Sequence, residues 1–334
     1  MNFITKNIAV SISLICSIMV IGCSPNSSQT EVVEPVAVIA SEENPFINVD
    51  SIIVHDERIY VSDINTVKIF NIDGSYLKTI GEAGSADGQF AGEVIGLAIN
   101  HNNELLAVDM ENYRVQVFDL EGKFIRTFGS QGDKPGQFLM PQGITVDQYG
   151  LIFVTDKERS DIQVFSPSGE FLYQISQKGS GKADLLEPES MIIKDERLYV
   201  ADEGNYRIQV FDLRGNYIKH LPEVGVLISP QQEASMDDMI YNTAIYKRYD
   251  RTLEGDVEGI AFDQNHRLFF VDEDNGILGV IDRGAIIASF KSNIPLMSAD
   301  GIAFSSDFNY LYVCDQGNNQ IQVFDISTIA SINK

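Results

Sequence analysis

A short apolar segment that ends in aspartate recurs six times along the chain. The copies occupy residues 59–63, 105–109, 152–156, 198–202, 269–272 and 311–315. Their terminal aspartates are 46, 47, 46, 70 and 43 residues apart. A repeat of this period indicates a fold built from similar units, each of which buries its apolar face against its neighbours.

Each unit has the pattern of four short strands. A turn and a second apolar run follow the aspartate, as at residues 115–119, and a glycine-containing turn leads to a third run, as at 122–128. Another run precedes the repeated segment, as at 143–146, and ends in a polar hairpin turn. Four antiparallel strands repeated every 40 to 50 residues are typical of a propeller blade. The sequence therefore predicts an all-β, six-bladed β-propeller of four-stranded antiparallel blades.

The ends of the chain suggest how the ring closes. The sixth unit ends at residues 321–325 without an outer strand, which would leave an unpaired sheet edge. Residues 36–40 form an apolar run that belongs to no unit. We predict that this N-terminal strand completes the last blade.

The interval of 70 residues indicates an insertion at about residues 222–255. Ser229 and Pro230 can begin a helix over residues 230–247. The insertion also contains a basic run, and its candidate ligand contacts are Lys247, Arg248, Tyr249 and Arg251. We interpret the insertion as a lid over the channel mouth, and the alternative is a surface helix without a function.

The N-terminus resembles a bacterial lipoprotein leader. Residues 1–22 read as a signal peptide whose apolar run, 8–21, is too short for a membrane span. Residues 20–23 resemble the lipobox, which implies palmitate-type lipidation of Cys23 and a linker over 23–35 before the propeller at 36–334. Ser24 favours an extracytoplasmic location on the outer membrane, facing the periplasm, if the organism is a diderm. A plain secretory signal or an uncleaved anchor is the alternative.

Three segments resemble the NHL repeat. They are residues 112–119, 132–138 and 205–212, and the resemblance extends over about residues 50–326. The first and fifth units depart from the motif at 67–70 and 277–280, so their assignment depends on spacing. The resemblance implies a six-bladed propeller.

Composition excludes two classes of protein. The chain has 24 Lys and Arg against 48 Asp and Glu, a net charge of -24, which opposes nucleic-acid binding. Its three cysteines, Cys16, Cys23 and Cys314, cannot form a disulfide framework. The expected partners are a membrane, through the lipid, and a protein or glycan.

The four histidines test one enzymatic interpretation. Amidating lyases that share this repeat hold zinc with histidines at the central channel. Here His55, His101 and His266 fall in or beside hairpin turns, and His220 ends an outer strand. None is placed to bind a metal in the channel.

Carboxylates recur at the position before the innermost strand, which lies at one rim of the channel. Across the units the residues at this position are Asp50, Ile95, Gln142, Glu189, Glu258 and Asp300. The four carboxylates, Asp50, Glu189, Glu258 and Asp300, are candidate ligands for Ca²⁺ or another divalent cation. The alternative is a set of turn carboxylates without an ion.

Residues 300–304 and 311–313 also resemble gluconolactonase-like propellers. In that family acidic and amide residues at the same rim hold a divalent metal used in lactone or ester hydrolysis. The family's asparagine ligands have no counterparts in this chain.

Two functions remain open at this stage. The first is a lipid-anchored binding or scaffold module for a protein or glycan. The second is a divalent-metal-dependent hydrolase of the lactonase or esterase type, or a lyase, with its site at the channel mouth.

Overall fold

The computed structural model describes residues 30–40, 44–223, 253 and 255–332. Within them, six sheets of mostly antiparallel strands are arranged so that the first strand of each blade lies beside the first strands of its two neighbours. This arrangement confirms the predicted six-bladed propeller. The predicted leader, the predicted lipidation site Cys23 and the predicted lid residues Lys247, Arg248, Tyr249 and Arg251 lie outside the described residues.

Two short strands precede the blades. They are β1 (Glu31–Val33) and β2 (Ala37–Ile39). Blade 1 has β3 (Ile52–His55), β4 (Arg58–Asp63), β5 (Thr66–Asn71) and β6 (Tyr76–Ile80). Blade 2 has β7 (Val94–Ile99), β8 (Glu104–Asp109), β9 (Arg114–Asp119) and β10 (Phe124–Phe128). Blade 3 has β11 (Pro141–Val146), β12 (Ile152–Asp156), β13 (Asp161–Phe165) and β14 (Phe171–Ile175).

The remaining three blades follow in chain order. Blade 4 has β15 (Pro188–Lys194), β16 (Arg197–Asp202), β17 (Arg207–Asp212) and β18 (Tyr217–Leu221). Blade 5 has β19 (Val257–Phe262), β20 (Leu268–Asp272), β21 (Ile277–Asp282) and β22 (Ala285–Ser292). Blade 6 has β23 (Ala299–Phe304), β24 (Tyr310–Asp315) and β25 (Gln320–Asp325). Short 3-10 turns occupy Met110–Asn112, Glu203–Asn205, Gln316–Asn318 and Ile326–Thr328.

The burial of the strands explains their composition. The second strand of a blade is covered on both faces by neighbouring blades, so Leu105, Leu106, Ala107 and Val108 are all fully buried. One face of the outer strand contacts solvent, so more buried and more exposed side chains alternate along it, as in β10. Six clusters of buried side chains fill the junctions between blades.

The repeated aspartates connect each blade, by hydrogen bonds, to the loop that precedes its first strand. The Asp109 carboxylate accepts hydrogen bonds from the backbone N–H of Ala91 (3.1 Å) and from Arg114 Nε (2.7 Å). Asp202 makes the matching bonds with Leu186 N–H and Arg207 Nε, both at 2.7 Å. The aspartates are thus structural, as turn residues of this type are expected to be.

The N-terminal strand closes the ring as predicted. Strand β2 pairs antiparallel with β25, and the backbone N–H of Val36 donates to Val323 O at 2.8 Å. Ile39 is buried against blade 1, where a Cβ on Gly74 would lie 3.3 Å from Ile39 Cγ1. The first and last blades are therefore joined through one short strand.

Strand β1 was not predicted. It lies within the segment assigned to the linker, yet it adds a fifth strand, parallel to β22, at the outer edge of blade 5. The Glu31 carboxylate also accepts hydrogen bonds from the backbone N–H groups of Ala330 (3.0 Å) and Ser331 (2.7 Å). Backbone pairing to a distant strand requires no apolar periodicity, so the local sequence gave no signal for it. In the described part of the chain, no helix is long and apolar enough to cross a bilayer.

Candidate functional site

The inner strands β3, β7, β11, β15, β19 and β23 surround a channel of about 410 Å³. Carboxylates line it where these strands begin. Aliphatic and aromatic side chains line it where they end, among them Val54, Ile99, Phe262 and Phe308. The channel therefore has one acidic mouth and one apolar end.

A ring of small residues brings the inner strands together at the acidic mouth. A Cβ added at Gly143 would lie 2.5 Å from Glu189 O, and one at Gly301 would lie 2.5 Å from Asp50 O. A Cβ cannot be accommodated at such a distance, so these two positions require glycine. The sequence signal, which the sequence analysis missed, is a glycine or serine after every rim residue, at Ser51, Gly96, Gly143, Ser190, Gly259 and Gly301.

All four predicted carboxylates line the acidic mouth. Asp50, Glu189, Glu258 and Asp300 come from blades 1, 4, 5 and 6 and share the same channel wall. One carboxylate oxygen of Asp300 is buried and accepts no hydrogen bond from any residue that the structure describes. The repeat register thus identified side chains that only the ring brings together.

Burial and mutual repulsion raise the pKa values of these carboxyls. Burial, followed by the charges of Glu189 and Asp300, raises the pKa of Glu258 to about 10. Burial is also the main reason why the pKa values of Glu189 and Asp300 rise to about 8. The pKa of Asp50 is raised well above its usual value by burial and then by Asp300. The mouth therefore holds protons near neutral pH unless a cation replaces them.

Two further charged residues join the mouth. Lys157 Nζ contacts the Glu189 carboxylate and lies 2.7 Å from Glu203 Oε2. Burial opposes the charge of Lys157, but the two carboxylates outweigh it and raise the pKa of Lys157 above its usual value. Both residues immediately follow a repeated aspartate, so a second register of the same repeat would have found them.

A compact carboxylate group is a candidate metal centre. Glu189, Glu203 and Glu258 each offer one oxygen, and these three atoms lie within 4.8 Å of one another. Oxygen donors of this kind suit Ca²⁺ or another hard divalent cation. Asp50 and Asp300 line the same channel outside this closest group.

The histidines lie where the sequence analysis placed them. His55 ends β3, His101 lies in a hairpin turn and bonds Asp147 O, and His266 lies in a hairpin turn beside Asp195. His220 lies in the outer strand β18. The described channel wall contains none of them.

Comparisons with known proteins agree with the fold. A family model described as a 6-bladed beta-propeller matches residues 147–265. The chain is a six-bladed β-propeller. No curated protein matches it.

Solved structures resemble this propeller at low sequence identity. A catalytically inactive histidine-to-alanine variant of virginiamycin B lyase from Staphylococcus aureus, with quinupristin, has a TM-score of 0.58 and 17% identity over 88% of this chain and 86% of its own. A streptogramin B lyase structure has a TM-score of 0.55 and 12% identity over 86% of this chain and 96% of its own. At such identity the likeness shows the fold alone.

Proposed function

We propose that the protein is a lipid-anchored, extracytoplasmic propeller of the NHL type that binds a protein or glycan partner at the acidic mouth of its channel. The observation that carries this proposal is the composition of the mouth. Four blades contribute carboxylates to it, Lys157 contacts one of them, Glu189, and the described channel wall contains no histidine or cysteine. Its hydroxyls at Ser51 and Ser190 bond to neighbouring backbone groups, so neither is paired with a general base.

The charge of the mouth favours a cationic partner group. Carboxyls with raised pKa values release protons when a positive group approaches, because that group replaces the proton as the neutralising charge. A lysine or arginine side chain of a protein, or the amine of an amino sugar, supplies such a group. For a lysine or arginine side chain, which stays charged throughout this range, binding is therefore expected to release protons and to tighten as the pH rises from 6 to 8.

The lipid anchor is supported by the leader and by the position of β1. Cys23 is seven residues from Thr30, whose hydroxyl oxygen lies 3.5 Å from that of Ser289 in blade 5. Seven residues span at most about 25 Å. The acyl chains would hold the outer edge of blade 5 near the membrane.

The anchor is tested by metabolic labelling with radioactive palmitate. The full chain should incorporate label and fractionate with membranes, whereas Cys23→Ser should do neither. Incorporation that is equal in both proteins would refute the anchor.

Partner binding is tested by thermal unfolding of the full chain with three probes. We expect chitosan oligosaccharide and tetralysine, both cationic, to raise the melting temperature, and neutral chitin oligosaccharide to leave it unchanged. The double variant Glu258→Gln/Asp300→Asn should lose the response, while Glu158→Gln, an exposed acid, should keep it. Equal responses to the cationic and neutral sugars would contradict the proposal.

A metal-dependent hydrolase or lyase is the second candidate. It is favoured by the close oxygens of Glu189, Glu203 and Glu258, and the lyases named above show that a similar propeller can support an enzyme. Metal analysis of the purified protein separates the two functions. A stoichiometric divalent ion that is lost in Glu258→Gln, with turnover of a lactone or a streptogramin B, would favour the enzyme. A folded protein without metal or turnover would reject it.

A further inference from the structure

A second cavity, of about 470 Å³, lies at the junction between blades 4 and 5. It meets the channel only at Phe262, whose side chain lines both. We refer to it as the blade 4–5 pocket. Its walls come from β16, β18, the β19–β20 hairpin and the two-residue turn between β21 and β22.

The pocket exists because blade 5 lacks the side chains that fill the other junctions. The third strand of every other blade carries a buried phenylalanine near its end: Phe70, Phe118, Phe165, Phe211 and Phe324. Blade 5 has the smaller Ile281 at this position. Replacing an aromatic ring by an aliphatic side chain removes volume from the junction.

An aromatic side chain of the outer strand is also missing from the junction between blades 4 and 5. In blades 1 to 4 an aromatic residue of the outer strand packs edge-on against that phenylalanine, with ring centroids 5.7 to 6.2 Å apart. In blade 5 the turn shortens to Arg283 and Gly284, and Asp282 pairs directly with Ala285. No aromatic side chain follows within β22 until Phe290, which packs at the next junction against Phe324.

The pocket has an apolar floor and a basic rim. Tyr199 and Phe262 pack edge-on in the floor at 4.9 Å, together with the buried residues Leu221, Leu268 and Ile281. The polar lining groups are Lys219, Asn265, His266, Arg267, Asp282 and Arg283. Three fixed cations and one carboxylate around one cavity contrast with a chain of net charge -24.

The present partners of these cations leave one of them available. Arg267 is held by Asp263 at 2.6 Å, Lys219 by Glu223 at 2.5 Å, and His266 by Asp195 at 3.0 Å. Arg283 is 92% exposed, and its only ion pair within the described residues is 3.8 Å long, to Asp282. An exposed pair of that length contributes little, so Arg283 can turn to a ligand at small cost.

We propose that the blade 4–5 pocket binds a small organic anion with an apolar body, such as an aromatic or branched aliphatic acid. The apolar body replaces the missing phenylalanine and outer-strand aromatic side chains, and the acid group faces Arg283, the cation that is available. This site is separate from the acidic mouth, so its existence does not depend on the function proposed above.

The test uses 8-anilinonaphthalene-1-sulfonate, a fluorescent aromatic anion, with the full chain. We expect one saturable site whose affinity falls as salt rises. Arg283→Glu should weaken binding at least about fivefold, because the reversed charge acts at contact distance. Ile281→Phe restores the side chain used by five other blades and should weaken binding more than about tenfold by filling the cavity.

Two matched controls separate this pocket from general surface binding. Arg214→Glu makes the same charge change in the corresponding turn of blade 4, where the junction is filled, and should leave the affinity within about twofold. N-phenyl-1-naphthylamine, which lacks the sulfonate, should be insensitive to Arg283→Glu but excluded by Ile281→Phe. Circular dichroism of each variant checks folding. Equal effects of Arg214→Glu and Arg283→Glu, or unchanged binding in folded Ile281→Phe, would overturn the proposal.

Discussion

Replacing Glu258 by glutamine should change how the stability of the protein depends on pH. Burial and the neighbouring carboxylates raise the pKa of Glu258 to about 10, whereas the same group in the unfolded chain titrates near its ordinary value. The folded state therefore retains a proton that the unfolded state loses. The stability contributed by this proton is complete below about pH 4 and is lost as the pH rises towards 10.

The size of the effect follows from the same difference. A carboxyl that stays protonated only in the folded state lowers the free energy of unfolding by about 1.4 kcal/mol per pH unit. Over the interval from pH 5 to pH 8 this amounts to roughly 4 kcal/mol. The charges of Glu189 and Asp300 contribute to the same repulsion, so part of this effect belongs to them. We therefore expect the difference between pH 5 and pH 8 to be about 2 to 4 kcal/mol in the free energy of unfolding, or about 4 to 8 °C in melting temperature for a domain of this size.

The assay is denaturant and thermal unfolding of the wild-type protein and Glu258→Gln at pH 5, 6, 7 and 8, without divalent ions. Both proteins should be similarly stable at pH 5, where Glu258 is protonated in the folded state, and the variant should be more stable at pH 8. Glu158→Gln, an exposed control, should follow the wild type. Parallel profiles of the wild type and Glu258→Gln would refute the reasoning.

Three further predictions concern closure and the mouth. Ile39→Ala should lower the free energy of unfolding by about 2 to 4 kcal/mol in urea titrations, and the exposed control Val36→Ala by less than about 1 kcal/mol. Deleting residues 36–40 should lower the melting temperature further. An unchanged melting temperature would exclude closure by this strand. Gly301→Ala should cost at least about 2 kcal/mol, because its Cβ would lie 2.5 Å from a backbone carbonyl of the next blade, and wild-type stability would contradict that packing. Lys157→Met should strengthen Ca²⁺ binding by calorimetry, since it removes the cation that competes for two carboxylates, and weaker binding would exclude a site there.

The fold was predictable because a propeller repeats one local pattern. Four short strands and a capping aspartate recur in units 1 to 5, and the sixth unit lacks only the outer strand, so blade number and strand order follow from spacing. The spare run at residues 36–40 indicated closure because a sheet edge must be covered. Strand β1 was not predictable, because its pairing with β22 depends on backbone groups more than 250 residues away.

The acidic mouth was only half predictable. Asp50, Glu189, Glu258 and Asp300 share one register of the repeat, and the ring brings that register to one place. Glu203 and Lys157 come from a different register, at the end of the second strand. Their position after a repeated aspartate is visible in the sequence, but their contact with Glu189 depends on how neighbouring blades pack.

The amino-acid sequence by itself determined the blade number, the strand order and the acidic character of the chain, because each of these depends on residue spacing or residue type. The tertiary structure alone decided which carboxylates meet, which of them contact Lys157, and where a cavity remains. Distances between blades depend on the packing of every junction at once. In blade 5, Ile281 and the shortened turn together leave the blade 4–5 pocket unfilled.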